Sequence, residues 1–469
     1  MKTPPTPRLL ATVSRPSLAE LYAAGKHLRE KCPRRSHAVW QAPANRPNPL
    51  RLLEQSNAGR IPELIPLRYG RMVQTPFTFY RGAALNMAAD LAGTPATGLR
   101  VQACGDCHLL NFGVYATPER RLVFDINDLD ETLPAPWEWD VKRLAASVVL
   151  ACRNNGFRPG DAREAVLACV RAYRERMAEY SGMRALEVWY ASIDAEKLLL
   201  AVKDKAARQR AQQRLASARA RSVPEHDFPK LAAGSGKTPA IKDNPPLIYH
   251  PRDEREQVSL ADAREAFADY RESLEAARRV LFDRYELQDV AIKVVGVGSI
   301  GTACYVALLM ASPQDPLFLQ VKEALPSVLE AYAGKSGYLN QGQRIVNGYH
   351  LMQSASDIFL GWAKGQRGRH FYLRQLRDMK VGAQIDVFSP GWMVEYAEFC
   401  GWALARAHSR SGAPEQISGY LGQSDVFDTA IATFASAYAD QTERDHAILK
   451  KAVRAGQVDV IREADRAEK

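Results

Sequence analysis

Cys104-Gly-Asp-Cys-His-Leu-Leu-Asn111 is the stretch on which the reading of this chain turns. It carries two incompatible chemistries. Cys104-x-x-Cys107-His108 has the spacing of a covalent haem attachment site. Asp106 and Asn111 have the five-residue offset of a phosphoryl-transfer loop, in which the Asp handles an acceptor hydroxyl and the Asn holds a metal. His108 lies between them and is expected to structure the loop. Cys104 and Cys107 also fit as small apolar fillers.

Working outward, Leu99–Cys104 is a short strand candidate leading into the motif. After Asn111, FGVYA and RLVFDI flank the turn Thr117-Pro-Glu-Arg120 and predict a hairpin. Its second strand runs into Asp125-Ile-Asn-Asp128-Leu-Asp130-Glu131, four acids in seven residues. The hairpin brings these acids back towards Asn111. Mg²⁺ prefers carboxylate and amide oxygens, so Asn111 with Asp128, or secondarily Asp125, forms a candidate metal site. The plainer reading is an exposed acidic turn. Trp139–Cys152 and Asp161–Tyr180 follow as helices, Phe79–Leu91 and Leu260–Tyr285 also have helical spacing, and Ile358–Trp362 is a strand candidate.

Far downstream, Asp289–Val295 reads as a strand. Gly296-Val-Gly298-Ser299-Ile-Gly301 follows, then TACYVALLM and LFLQVKEA. Dinucleotide folds use the same glycine spacing, and Glu323 stands near the distance of their ribose acid. However, Thr302, Cys304, Tyr305 and Val306 favour a strand after the glycines, not a helix. Strand, glycine turn and strand, with Lys322 on a third strand, make a phosphate-covering hairpin. The glycines let backbone N–H groups approach phosphate oxygens, and the lysine supplies a point charge. Gly234-Ser-Gly-Lys-Thr238 only superficially resembles a P-loop: position 231 is Leu, and Pro239 interrupts the helix that should follow.

Composition narrows the choice. The chain has 469 residues, 46% hydrophobic and 25% charged, which is ordinary for globular proteins. Its seven cysteines are scattered and odd in number, which favours reduced thiols over a disulfide framework. No apolar run reaches the roughly 18 residues of a membrane span, and MKTPPTPRLLATVSRPS lacks the apolar centre of a signal peptide. A cytoplasmic location is expected, which weighs against attached haem. The formal charge is +10, and much of it lies in Lys203–Arg221, most simply a solvated helix. Anionic nucleotides or phosphorylated substrates suit such a charge; no membrane or nucleic-acid partner is expected.

Gly105-Asp106-x-His108-x-x-Asn111 resembles the loop of aminoglycoside and choline phosphotransferases, which share the protein-kinase-like fold. The span from about Ile61 to Ala455 resembles an uncharacterised bacterial family catalogued as domain of unknown function 2252. The matching pieces are PFTFYRGAA, CGDCHLLNFGVY, FDINDLDETLPAPWEWDVKRLAAS, QVKEA, DIFLGW and FYLRQLRDMK. The resemblance implies roles residue by residue. Asp106 matches the catalytic Asp, Asn111 and Asp128 (or Asp125) the metal ligands, and Asp140 a structural Asp on the next helix. Gly296, Gly298, Ser299, Gly301 and Lys322 match the phosphate-binding parts. Gln375 and Leu376 match the hinge that meets adenine. ATP and Mg²⁺ are the implied cofactors, with a small-molecule or protein acceptor left open.

Two departures accompany the match. The glycine loop follows the catalytic loop instead of preceding it, which implies a circular permutation of an α+β, two-lobed fold. The expected layout is an arm (1–59), the first part of a helical lobe with catalytic loop and metal hairpin (60–225), an antiparallel-sheet nucleotide lobe (226–385), and helices completing the helical lobe (386–469). Second, the helix expected to carry the lysine's acid, GQRIVNGYHLMQ, has none. Glu330 and Glu323 are the nearby candidates. The expected activity is therefore phosphotransfer, with a nucleotide-binding pseudokinase or an AMP transferase as alternatives.

Overall fold

Trp137–Asn154 is the helix around which the rest is arranged. Sixteen successive residues, Trp137–Cys152, are buried, so every face must meet protein, as expected of a central helix. The computed structural model describes residues 16–220, 231–233, 239–245, 247–250, 260–294, 296, 298, 300–365, 368–376 and 379–461. The helices Pro159–Ser181, Pro390–Ser411 and Val426–Arg454 surround the central one. Two of them approach closely because Gly401 has no side chain: a Cβ there would stand 2.0 Å from the Cys169 carbonyl oxygen. The main hydrophobic core runs through this bundle and continues under the motif segment, including Cys104, Cys107 and Leu109.

The β structure is antiparallel throughout. A six-stranded sheet has the order Gly361–Lys364, His370–Gln375, Asp315–Glu323, Cys304–Ser312, Glu286–Lys293, Ile248–Tyr249. Lys322 stands opposite Cys304 on one side and Tyr372 on the other. A second sheet joins the hairpin Phe112–Ala116 and Leu122–Ile126 to Val381–Gly382. Arg100–Ala103 pairs with Leu133–Pro136. Helices and small antiparallel sheets make the class α+β.

Several expected elements have different bounds. The single helix expected over Leu260–Tyr285 is two helices, Leu260–Ser273 and Ala276–Phe282. Phe79–Leu91 is interrupted at Ala83, which has a non-helical backbone (φ −112°, ψ 39°). The strand expected at Ile358–Trp362 is shifted to Gly361–Lys364. The basic segment is the helix Lys205–Arg219. The P-loop look-alike, Gly234–Thr238, lies outside the described residues.

The N-terminal arm is tied to the body. Its helix Leu18–Lys31 starts with a capping box between Ser17 and Glu20 and crosses Pro414–Leu421 at glycine contacts. A Cβ on Gly419 would meet the Tyr22 carbonyl oxygen at 2.1 Å. Further along, Arg46 bridges Asp90 and Asp445, each by two hydrogen bonds. Among the described residues, no helix is long and apolar enough to cross a membrane.

Candidate active site

The motif is held by the first turn of the central helix. Asp140 accepts hydrogen bonds from the backbone N–H groups of Cys104 (2.6 Å) and Gly105 (3.0 Å). His408 Nε2 lies 3.1 Å from the same carboxylate. Gly105 has φ +80°, and a Cβ there would stand 2.4 Å from the Glu131 carbonyl oxygen, so the turn requires glycine. Leu109 N–H donates to Ser147 Oγ (3.1 Å), which fixes the far end of the loop to the same helix.

These anchors leave Asp106 at the wall of a cleft. Arg143 donates to Asp106 Oδ1 through Nε (2.9 Å) and Nη2. Asp106 Oδ2 is 3.8 Å from His108 Nε2, outside hydrogen-bonding distance. One oxygen is thus fixed and the other is left towards the cleft. His108 is buried, and burial brings its pKa down to about 3. At neutral pH it is an uncharged imidazole.

Asn111 donates its amide Nδ2 to the Asp106 backbone carbonyl (2.6 Å). That bond orients the side chain and leaves Oδ1 as an acceptor. The hairpin returns through Asn127 N–H, which donates to the Asn111 carbonyl (2.7 Å), and Asp128 follows beside it. Asp128 Oδ1 is shielded from solvent and accepts no hydrogen bond; Lys322 Nζ approaches it at 3.5 Å. Burial, followed by the neighbouring Asp130 carboxylate, raises the Asp128 pKa. An amide oxygen and an unsatisfied carboxylate oxygen are the hard ligands that Mg²⁺ takes when phosphates complete its shell. Among the described residues, no group of three or more His, Cys, Asp or Glu side chains could hold a metal by itself.

Lys322 comes to this place from the six-stranded sheet. Its Nζ is 3.1 Å from Asp130 Oδ2, and Tyr372 donates its hydroxyl to Asp130 Oδ1 at 2.5 Å. Burial alone would lower the lysine's pKa, but Asp128 and Asp130 outweigh it and raise it. Burial would likewise raise that of Asp130; Lys322 and the Tyr372 hydrogen bond hold it below the usual carboxylate range. Neither Glu expected as the lysine's partner takes that place. Glu323 accepts from Ala303 N–H (3.0 Å), and Glu330 faces Lys335 (3.3 Å).

Gly296 and Gly298 also line the cleft. Gly301 has φ +86°, which favours glycine; its carbonyl accepts from Ile61 N–H (2.6 Å). Arg60 holds the turn from outside, donating to the carbonyls of Gly298 (2.9 Å) and Ile300 (2.5 Å). Ser299 lies outside the described residues.

Three expected site residues stand apart. Asp125 is fully buried on the hairpin and paired with Arg406 at 2.7 Å, with further bonds from Ser354 N–H and Oγ. Its oxygens are taken, so it corrects to a structural residue, and Asp128 alone reaches the cleft. Gln375 and Leu376 do not line the cleft. Their backbone N–H groups, expected to face adenine, are already donated to Asp357 and to the Phe318 carbonyl (2.9 Å).

The sequence reading missed Asp130, Arg143 and Arg60. Arg143 follows Asp140 by three positions, so one helical turn delivers both to the loop; that spacing was the available signal. The haem reading loses its geometry. Cys104 and Cys107 are completely buried, and burial pushes the Cys107 thiol well above its ordinary value.

A family model described as "Uncharacterized protein conserved in bacteria (DUF2252)" matches residues 60–452. No curated protein and no solved structure matches the chain. The matched span takes in the loop, the acidic hairpin, the glycine turn and Lys322, and the chain belongs to this bacterial DUF2252 family.

Proposed function

We propose that this protein is an ATP- and Mg²⁺-dependent phosphotransferase with a circularly permuted, protein-kinase-like fold. The observation that carries the reading is the meeting of Asp106, Asn111 and Asp128 with Lys322, Gly296 and Gly298 in one cleft, across about 190 residues of chain. The Asp140 bonds to the loop backbone and the strand–glycine turn–strand order support the same fold.

In this reading Mg-ATP supplies the transferable phosphoryl group and the counter-charge for its oxygens. Lys322 positions the phosphates, Asn111 Oδ1 and Asp128 would hold the cation, and backbone N–H groups of the glycine turn cover the phosphates. Asp106, with Oδ1 fixed by Arg143, presents Oδ2 to an acceptor hydroxyl, orienting it and taking its proton. Catalysis comes mainly from position and charge.

The test is calorimetric titration with Mg-ATP, combined with turnover of terminally labelled ATP. Lys322→Ala and Asp128→Ala should lose most binding; Asp106→Asn should bind normally and lose turnover. Wild-type protein that neither binds Mg-ATP nor is stabilised by it would overturn the proposal. One observation favours a nucleotide-binding pseudokinase: the helix Gln341–Met352 carries Arg344 and no acid towards the lysine. Binding with no turnover on any acceptor would decide for that reading.

A further inference from the structure

Three arginines line the cleft, Arg60, Arg68 and Arg81, and Arg143 reaches Asp106 beside them. Three of these four are committed. Arg60 holds the glycine turn; Arg68 donates to Asn57 Oδ1 (2.6 Å), Ser56 Oγ (3.0 Å) and the Gly82 carbonyl (2.7 Å); Arg143 holds Asp106. Arg81 differs. Its Nε is shielded from solvent without a partner, and among the described residues its guanidinium makes no hydrogen bond or ion pair.

Its position is specific. A Cβ at Gly298 would lie 3.5 Å from the Arg81 carbonyl oxygen and 3.7 Å from Asp106 Oδ2. Arg81 therefore stands where the glycine turn comes over Asp106. Burial disfavours its charge; among the neighbouring charges the Asp106 carboxylate acts most strongly and favours it, Arg71 opposes it, and Asp386 and Asp128 favour it more weakly. A guanidinium stays charged in proteins, and one held largely out of water with no direct hydrogen bond or ion pair is costly. Such a cation fits a site completed by an anion.

We propose that Arg81 is the oxyanion receptor of this cleft, taking a phosphoryl oxygen beside Asp106. The existence of the receptor follows from the unpaired cation; the source of its phosphoryl group rests on the phosphotransferase reading. The group is either the terminal phosphoryl of a nucleotide or a phosphate on the acceptor. In either case the guanidinium places positive charge where negative charge accumulates during transfer.

The experiment is titration of the full-length wild type, Arg81→Lys and Arg81→Gln with tripolyphosphate, ADP, ATP, and inorganic phosphate on the ADP-loaded protein, all with Mg²⁺. A circular dichroism melt confirms that each variant is folded. Arg81→Gln should weaken tripolyphosphate binding roughly 10- to 100-fold, the scale of a charged hydrogen bond. Arg81→Lys should fall between, because lysine keeps the charge and loses the fork. Loss for ATP but not ADP assigns the terminal phosphoryl; loss of inorganic phosphate from the ADP-loaded protein with ATP binding unchanged assigns the acceptor. Tripolyphosphate binding through Arg81 without any nucleotide binding would keep the receptor and remove phosphotransfer. Wild-type affinity for all these anions in Arg81→Gln, or no anion binding by the wild type, would overturn the proposal.

Discussion

Lys322 Nζ lies 3.1 Å from Asp130 Oδ2, although 192 residues separate the two in sequence. The lysine's counter-ion therefore comes from the segment that carries Asp128, not from the helix Gln341–Met352. That helix contributes Arg344, which donates to the carbonyls of Asp130 (2.9 Å), Thr132 (2.6 Å) and Leu325 (2.9 Å). A cation on the helix clamps the backbone of the acidic segment, and that segment's acid clamps the lysine. Asp128 and Asp130 are two residues apart on that one segment.

Removing the Asp130 charge should therefore disturb both stability and ligand binding. Asp130→Asn leaves the buried Lys322 with Asp128 alone. Breaking one partner of a buried pair costs about 3 kcal/mol, and the Asp130 side chain is 26% exposed, which brings the expected loss nearer about 2 kcal/mol. Mg-ATP affinity should fall roughly tenfold with it. Urea unfolding and calorimetry measure the two effects; unchanged values in both would show that the pair is dispensable.

Asp125 should behave in the opposite way. Its pair with Arg406 is completely shielded, at 0% exposure for both side chains, and lies away from the cleft. Asp125→Ala should cost about 3–5 kcal/mol of stability by leaving an uncompensated buried guanidinium. The fraction that remains folded should bind Mg-ATP with wild-type affinity. A selective loss of metal-dependent binding without loss of stability would return Asp125 to the metal site.

The loop itself was legible because Asp106 and Asn111 are fixed by spacing within one short turn. Lys322 was legible because a strand pattern and a glycine turn lead to it. Asp128 could only be ranked ahead of Asp125 in sequence, since each precedes an apolar residue, Leu129 or Ile126, in one acidic run. Arg406, 281 positions away, and Ser354 distinguish them. Asp130 escaped for a related reason: its role depends on Tyr372 and Lys322 arriving from another sheet. The hinge assignment of Gln375 and Leu376 failed because sequence shows which N–H groups a strand end offers, not which ones Asp357 and Phe318 have already taken. Helix ends were misplaced at Ala83, where Gly82 was the available signal, and near Leu274, where no Pro or Gly marks the break.

The thiols provide a direct check on the discarded haem and redox chemistry. All seven cysteines are buried and unpaired with one another. Burial pushes Cys152 and Cys169 up to about 12. A thiol must ionise and be reached to react, so a chromogenic disulfide reagent should label none of them in the native protein and all seven after unfolding. The purified protein should show no Soret absorbance. Rapid native labelling of Cys104 or Cys107, confirmed by mass spectrometry, would reopen the redox reading.

Acid should weaken the fold through two histidines. Burial brings both His37 and His108 down to about 3, against about 6.5 in an unfolded chain. Below pH 6.5 the unfolded state binds protons that the native state refuses, so stability falls as pH drops from about 6.5 towards 3. Each histidine contributes a slope of about 1.4 kcal/mol per pH unit where only the unfolded form is charged. Glu131 acts in the other direction. Burial raises its pKa to about 7, so its contribution is complete below the unfolded value near 4.5 and is lost as pH rises to about 7. Its removal should make the acid limb steeper between pH 4.5 and 6.5. His37 is the cleaner of the two histidines to change, since it lies outside the cleft against Tyr420 (2.7 Å). His37→Gln should flatten the dependence by about 1.4 kcal/mol per pH unit between pH 6 and 4, and Glu131→Gln should steepen it. Urea unfolding midpoints across that range, with a shared m-value, measure both differences; parallel pH profiles for all three proteins would show that neither group is held in the shifted state.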